Sequence, residues 1–382
     1  TTMLAHAGRV WGVALAADGR TMAGGTYDGT VKVWDAPKGQ ALATMQGHAG
    51  GIGCVAISAD GRRVAGRGTD CIKVWDTAHG RLLTTLQGSA GGLHGMAMSA
   101  DGRMLAVGAR DGTIRLWNAA SGRALGALRG QVGEAPAMAL SAGGTLVSSS
   151  HDGPIFVWDV AAHCLLGTLQ GHRGSVIDVA ISEDGRLAAA GCENGTIAVW
   201  DLATAQLVNT FQGYDGSLRG IALSGDGQVA AGGGDGGTVS VWDVTRDLPL
   251  VTIPAHAAGV LGVGLSADGR LLASAGMDAA VKLWNPTTGQ LLATLSGHAG
   301  AARAVALSAD GRVVASGGAE GAVRLWDSAG KTQLRALQGD RRYERMDITG
   351  MTGISEAQRA ALIELGAVEW IPSDKADGDE TS

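Results

Sequence analysis

Histidine, serine, aspartate and tryptophan return together along the chain, and in one stretch they stand as His256, Ser274, Asp278 and Trp284. A histidine within reach of a hydroxyl and a carboxylate is the composition of a hydrolytic relay, in which the carboxylate orients the imidazole and the imidazole takes the hydroxyl proton. With cysteines or further carboxylates the same side chains could hold a metal. The repetition argues against both: a catalytic or metal constellation is needed once, whereas a residue set that recurs in copy after copy is a requirement of the repeat. Cys54, Cys71, Cys164 and Cys192 stand far apart with no C-x-x-C pair, so neither a zinc site nor a disulfide framework is signalled. They read as small buried residues of a reducing cytoplasm. The run Gly232-Gly-Gly-Asp-Gly-Gly lacks the preceding strand, following helix and lysine of a phosphate loop. The expectation is no catalytic residue, no metal and no cofactor.

The elements that position these residues follow from one spacing. Tryptophans at 34, 75, 117, 158, 200, 242, 284 and 326 are 41 or 42 residues apart, each followed by Asp or Asn. Upstream of them Asp-Gly pairs (Asp18-Gly19, Asp60-Gly61, Asp101-Gly102, Asp184-Gly185, Asp268-Gly269, Asp310-Gly311) punctuate apolar stretches, a hairpin signal that suits a two-residue turn with positive φ. In the seventh copy four strands are expected: Val260 to Leu265, Leu271 to Ser274, Ala280 to Trp284 and Leu291 to Leu295. One such sheet cannot bury both its faces, so successive sheets must stack and, with this many copies, close radially. The composition agrees: 63 glycines, 45% apolar and only 17% charged residues suit short buried strands joined by tight turns. The expected fold is all-β, a single eight-bladed β-propeller of four-stranded antiparallel blades over 1–339, with a short carboxy-terminal helical tail.

Period, Gly-His openings, Asp-Gly turns and Trp-Asp endings together resemble the WD-repeat family. In that family His, a strand Ser or Thr, a turn Asp and the Trp form a buried hydrogen-bonded chain in each blade. The resemblance implies this role for His256, Ser274, Asp278 and Trp284, the one copy with all four. The first copy keeps His6, Asp28 and Trp34 but has Gly24 at the serine position, the last has His298, Ser316 and Glu320, and the third, fourth and sixth replace His with Ser89, Gln131 and Tyr214. Partly satisfied buried networks are costly, so these blades are expected to be softer.

If the shared residues build the scaffold, function lies in what differs between copies. The family binds partners at the narrow top face, through residues flanking the start of the innermost strand and the residue before the turn Asp. Those slots hold Arg9, Trp11 and Tyr27 in the first copy, His94 and Arg110 in the third, Glu134 and His151 in the fourth, and Glu193 in the fifth. The sixth supplies Arg219 and Asp235, the seventh Met277 and the eighth Arg303. Aromatic residues and arginines are the usual anchors of interfaces, so a protein or peptide ligand is expected there. A net charge of −6 gives no basic field for nucleic acid, and no apolar run is long enough for a membrane helix. The chain reads as a cytoplasmic, monomeric fragment that opens at Thr1 within a repeat.

After Gln338-Gly the period ends, and 340–370 reads as an extension with one helix. Ser355 and Gln358 have the form of a capping box, Gly366 is placed as a stop, and Ile354, Ala357, Ala361, Leu365 and Val368 share a face. It is expected to pack on the propeller, with 371–382 an acidic disordered tail. The tail is similar to the segment closing the propellers of bacterial multidomain signalling (NB-ARC-like) ATPases. That resemblance implies a ligand-sensing, autoinhibitory propeller; a passive multi-partner scaffold and a propeller enzyme are the competing readings. The strand Gln333 to Leu337 is expected to close the last blade, with Thr1 to Leu4 left as the remnant of an outer strand.

Overall fold

The computed structural model describes residues 9–38, 40–45, 52–68, 71–87, 93–131, 133–150, 153–172, 174–212, 217–246, 249–329, 332–337 and 358. They form eight separate four-stranded sheets, each a run of four consecutive strands paired in chain order. These blades span 10–45, 54–87, 93–128, 138–169, 176–212, 218–254, 260–296 and 302–337 and are called blades 1 to 8. Within a blade the innermost strand comes first and the outermost last. In the seventh the strands run Val260–Leu265, Leu272–Gly276, Ala280–Trp284 and Leu291–Ser296, close to the sequence expectation.

The burial of each strand reflects its place. Second and third strands such as Thr21–Thr26 and Val31–Asp35 are covered on both faces, which is why they carry runs of Ala, Gly and Val with the Trp. Outer strands such as Gln40–Met45 bury little beyond their last residue. The apolar core is eight clusters, each shared by two neighbouring blades. Ala97, Ile114 and Leu116 of blade 3, for example, pack with Leu146, Phe156 and Trp158 of blade 4. The blade tryptophans sit in these joints, so removing one would open a cavity between two blades. One cluster joins Val10, Met22 and Trp34 of blade 1 to Ala315, Val323 and Leu325 of blade 8, closing the ring.

Backbone bonds link neighbouring blades where the inner strands end. Ala59 N donates to Ala100 O (2.8 Å), Glu183 N to Gly225 O (2.9 Å), Gly225 N to Ala267 O (2.8 Å) and Ala267 N to Ala309 O (3.1 Å). The step from Ala309 N to Ala17 O (3.1 Å) crosses from the last blade to the first. At that end the last inner-strand residues, from Leu15 round to Leu307, ring an open pocket of about 320 Å³. The outer place in blade 8 is filled by Thr332–Leu337, paired to Val323–Asp327 as expected. Thr1 to Leu4 lie outside the described residues, as does the tail apart from Gln358, which is helical and exposed.

The Asp-Gly pairs build a different turn from the two-residue hairpin. Between Val10–Leu15 and Thr21–Thr26 run five residues, and of the pair only Gly19 has positive φ (68°). The aspartate serves instead as an acceptor. In blade 7 Ser266 Oγ donates to Asp268 Oδ1 (2.6 Å), Arg270 N donates to the same oxygen (3.0 Å), and Leu271 N donates back to Ser266 Oγ (3.0 Å). The serine hydroxyl holds the Asp268 carboxyl below its usual range, as Ser308 does for Asp310 and Ser182 for Asp184. Asp is selected here for its side-chain oxygen, which replaces a ladder bond.

Candidate functional site

The recurring polar residues are used up inside the blades. In blade 7 His256 Nδ1 lies 2.7 Å from Asp278 Oδ1, His256 Nε2 lies 2.8 Å from Ser274 Oγ, and Trp284 Nε1 donates to the same hydroxyl at 2.9 Å. Burial holds the His256 imidazole below its ordinary value, so it is neutral and its two nitrogens act as one donor and one acceptor. The His256 and Ser274 side chains are buried, so this relay meets no substrate. Blade 8 carries the same chain: Glu320 Oε1 stands in for the aspartate 2.6 Å from His298 Nδ1, with Ser316 and Trp326 following, while Glu320 Oε2 is buried without a partner among the described residues. Blade 4 rebuilds the chain with an amide. Ser148 Oγ donates to Gln131 Oε1 (2.6 Å), Trp158 Nε1 donates to Ser148 Oγ (2.9 Å), and Gln131 Nε2 donates to Ser149 O (2.7 Å). These two blades are better satisfied than residue matching suggests. Blade 5 is one of the deficient blades: its serine and aspartate places hold Ala190 and Asn194, His172 Nδ1 is buried without a partner among the described residues, and Trp200 Nε1 turns to Gln170 O (2.8 Å). The serine place is likewise empty of a hydroxyl in blades 1, 2, 3 and 6, which hold Gly24, Gly66, Val107 and Gly232.

What varies between blades is brought to one place by a recurring irregularity. In the pairing of first and second strands the register slips at the second inner-strand residue: Val10 faces Thr26 and Gly12 faces Gly25, leaving Trp11 outside the ladder. The same slip releases Ile177, Arg219, Leu261 and Arg303, and a related one lies beside His94. A bulge re-aims the side chain of its extra residue, here to the end of the channel opposite the ring from Leu15 to Leu307. The turn between second and third strands is tied to the same end. Tyr27 N donates to Arg9 O (3.0 Å), Glu193 N to Ser175 O (2.9 Å), Asp235 N to Ser217 O (3.1 Å) and Met277 N to Gly259 O (2.9 Å). Bulge and turn together make a mouth whose side chains are free to differ while the backbone is fixed.

Three groups form there. Between blades 3 and 4, one Glu134 oxygen pairs with Arg110 Nε at 2.9 Å and the other lies 3.4 Å from His94 Nε2. On blade 6, Arg219 holds Asp235 with both arms, at 2.7 and 3.0 Å. That bond keeps the Asp235 carboxyl below its usual range and raises Arg219, to which the charge of Glu193 adds. Between blades 8 and 1 the Arg303 guanidinium lies 5.2 Å over the Trp11 ring, and on the same blade 1 inner strand and turn Tyr27 N donates to Arg9 O (3.0 Å). Met277 is exposed beside Gly259, apart from these groups, and His151 lies outside the described residues.

Two mouth residues escape a motif-by-motif reading. Arg67, at a second-strand place that is otherwise small, turns its guanidinium over Gly53, where blade 2 has no inner-strand side chain. Asp178 is the one charged residue at the third inner-strand place, which elsewhere holds Gly12, Cys54, Gly95, Ala137, Gly220, Gly262 and Ala304. Its carboxylate accepts from Val179 N (2.9 Å) and from Ile221 N of the next blade (3.3 Å). Burial outweighs those bonds and pushes the carboxyl up to about 6. Lining up the eight copies place by place, instead of searching for motifs, would have exposed both residues.

Among the described residues no group of three or more His, Cys, Asp or Glu is placed to hold a metal ion, and no helix is long and apolar enough to cross a membrane. No curated protein matches the sequence. Among solved structures the chain is similar to the computationally designed Ika8 protein, at 27% identity and a TM-score of 0.75, over 85% of this chain and 98% of that one. The family model described as "WD domain, G-beta repeat" matches residues 1–35, 39–76, 80–118, 163–201, 205–243, 248–285 and 289–327. It passes over the fourth copy, where Gln131 replaces the opening histidine, although that copy forms a full blade. With well over half its length matched, the chain belongs to the WD-repeat family.

Proposed function

We propose that the protein is a non-catalytic binding module that takes a protein or peptide partner at the bulged channel mouth, its top face. One observation carries this reading: the recurring polar residues, where present, are spent on bonds inside the blades, while the variable ones are collected on a rigid rim. A catalytic site needs a reactive group within reach of substrate, whereas an interface needs exposed anchors on a fixed frame. Propellers of this family typically serve as protein-interaction modules. The finer reading is that of the sensing and autoinhibitory propeller of a bacterial, cytoplasmic signalling ATPase. It is supported by the likeness of the segment from Tyr343 to Gly366 to the closing segment of such propellers.

The test uses the full chain immobilised as bait in source-organism lysate, beside a variant carrying Trp11→Ala, Arg219→Ala and Arg303→Ala. Loss of a captured protein with the melting temperature held within a few degrees supports the reading, because surface changes cost roughly 0.5 kcal/mol in stability and interface anchors 2 or more in binding. Equal capture by both proteins would move the site to the rim or the opposite end. Capture of several proteins, each lost on altering a different rim, would favour the scaffold instead.

A further inference from the structure

The three groups at the mouth differ in one respect. Arg110 and Arg219 already hold carboxylates at ion-pair distance, whereas Arg303 has no acidic partner among the described residues. Its guanidinium is fixed on the Trp11 ring, and its Nε is buried without a hydrogen-bond partner. Arg9, one residue from the bulge, is exposed and likewise unpaired among the described residues. The exposed tryptophan and tyrosine among the described residues both belong to this corner, Trp11 at 47% on the bulge and Tyr27 at 68% on the turn whose N donates to Arg9 O. A guanidinium stacked on an aromatic face keeps its donors in one plane, matched to the two oxygens of a carboxylate, and its side chain is ordered before any ligand arrives. No resident acid has to be displaced here, in contrast to the other two arginines.

We propose, building on the reading above, that this corner between blades 8 and 1 binds an acidic segment of a partner protein. Arg303 takes an Asp or Glu carboxylate, and the open face of Trp11 with Tyr27 takes an adjoining apolar side chain. Charge complementarity favours one carboxylate beside an apolar group over a nucleic-acid backbone. A polyanion would find no continuous basic track here, because Arg110 and Arg219 are already neutralised by Glu134 and Asp235, Glu193 adds a negative charge, and the chain as a whole is at −6.

The probe is a random peptide library displayed on phage and panned on the full chain, with the enriched peptides then synthesised and titrated. The expected peptides carry Asp or Glu next to Leu, Phe or Trp. Changing that acid to its amide, or making Arg303→Ala or Trp11→Ala, weakens binding at least tenfold, and Arg303→Lys recovers only part of it. Arg312→Ala, the same charge change on the opposite end of blade 8, binds as wild type. Melting temperatures of the variants within a few degrees show that the ring is intact. Enriched peptides without acids, no enrichment, or full affinity for Arg303→Ala would overturn the proposal. Displacement by single-stranded oligonucleotide would reassign the corner to phosphate, and tenfold tighter binding after removal of 371–382 would make the chain's own acidic tail its occupant. Losses confined to Arg110→Ala or Arg219→Ala would leave the channel-mouth reading standing and remove only this placement.

Discussion

Replacing Asp178 by Asn isolates one electrostatic cost of this ring. The unfolded chain releases the Asp178 proton near the ordinary 3.8, whereas the folded chain holds it until about 6. Between those values ionisation favours the unfolded state, so the contribution of this group falls as pH rises through the window and is constant on either side of it. At 1.36 kcal/mol per pKa unit the full difference is about 3 kcal/mol, an upper limit because Asp178 is only partly buried by surface area and solvent screens it. Asparagine cannot ionise and keeps an acceptor for Ile221 N or Val179 N. Unfolding entropy scales at roughly 2.1 cal/mol/K per residue, so over a propeller of this size 3 kcal/mol is about 4 °C in melting temperature. The assay is the melting difference between Asp178→Asn and wild type measured from pH 3.5 to 7.5. The variant should gain on wild type by up to about 4 °C between pH 4 and 6.5, and the difference should be flat outside that range. A difference that stays constant from pH 4 to 6.5 would refute the burial argument.

The blade networks and the ring closure yield further predictions. Ser274→Ala leaves Trp284 Nε1 and His256 Nε2 without their shared partner and should cost about 2–3 kcal/mol in urea unfolding, against under 1 kcal/mol for the exposed Thr288→Ala. Completing blade 5 with Ala190→Ser and Asn194→Asp gives His172 the partners that His256 has, and should raise the melting temperature by about 1 °C or more; a fall would mean the site cannot accept the hydroxyl. Because burial depresses the His256 imidazole, the unfolded chain takes up this proton first, near 6.5, and acidification through that value should lower stability; His256→Gln should flatten this step in melts compared across pH. Ending the chain before Thr332 bares the third strand of blade 8 and should produce dimers or a sharply lower melting point by light scattering and calorimetry.

Spacing alone was enough to read the blades, because a repeat that must bury both faces of each sheet leaves one way to stack them. The tryptophan period located every third strand, and the register of the seventh copy followed within a residue or two. Hydrogen-bond chemistry was less legible. Glu320 and Gln131 look like losses when residue types are matched, yet geometry lets a longer carboxylate and an amide reach the same atoms. The Asp-Gly turns were misread because the signal fits two structures, a two-residue hairpin and a five-residue loop in which the Asp oxygen is the acceptor. The mouth slots could be counted from the sequence, but not which of them pair. Arg219 with Asp235 is set by one blade's bulge and turn, and Arg303 with Trp11 by ring closure between residues 292 apart in the chain.

Hydrogen exchange of the full chain with and without its captured partner tests the central claim most directly. Binding at the mouth predicts slowed exchange confined to the bulges and turns of that end, among them residues 9–12, 26–28 and 302–304, with the outer strands unchanged. Slowed exchange along outer strands such as Gln40–Met45 and Gln206–Gln212, with the mouth unprotected, would contradict it.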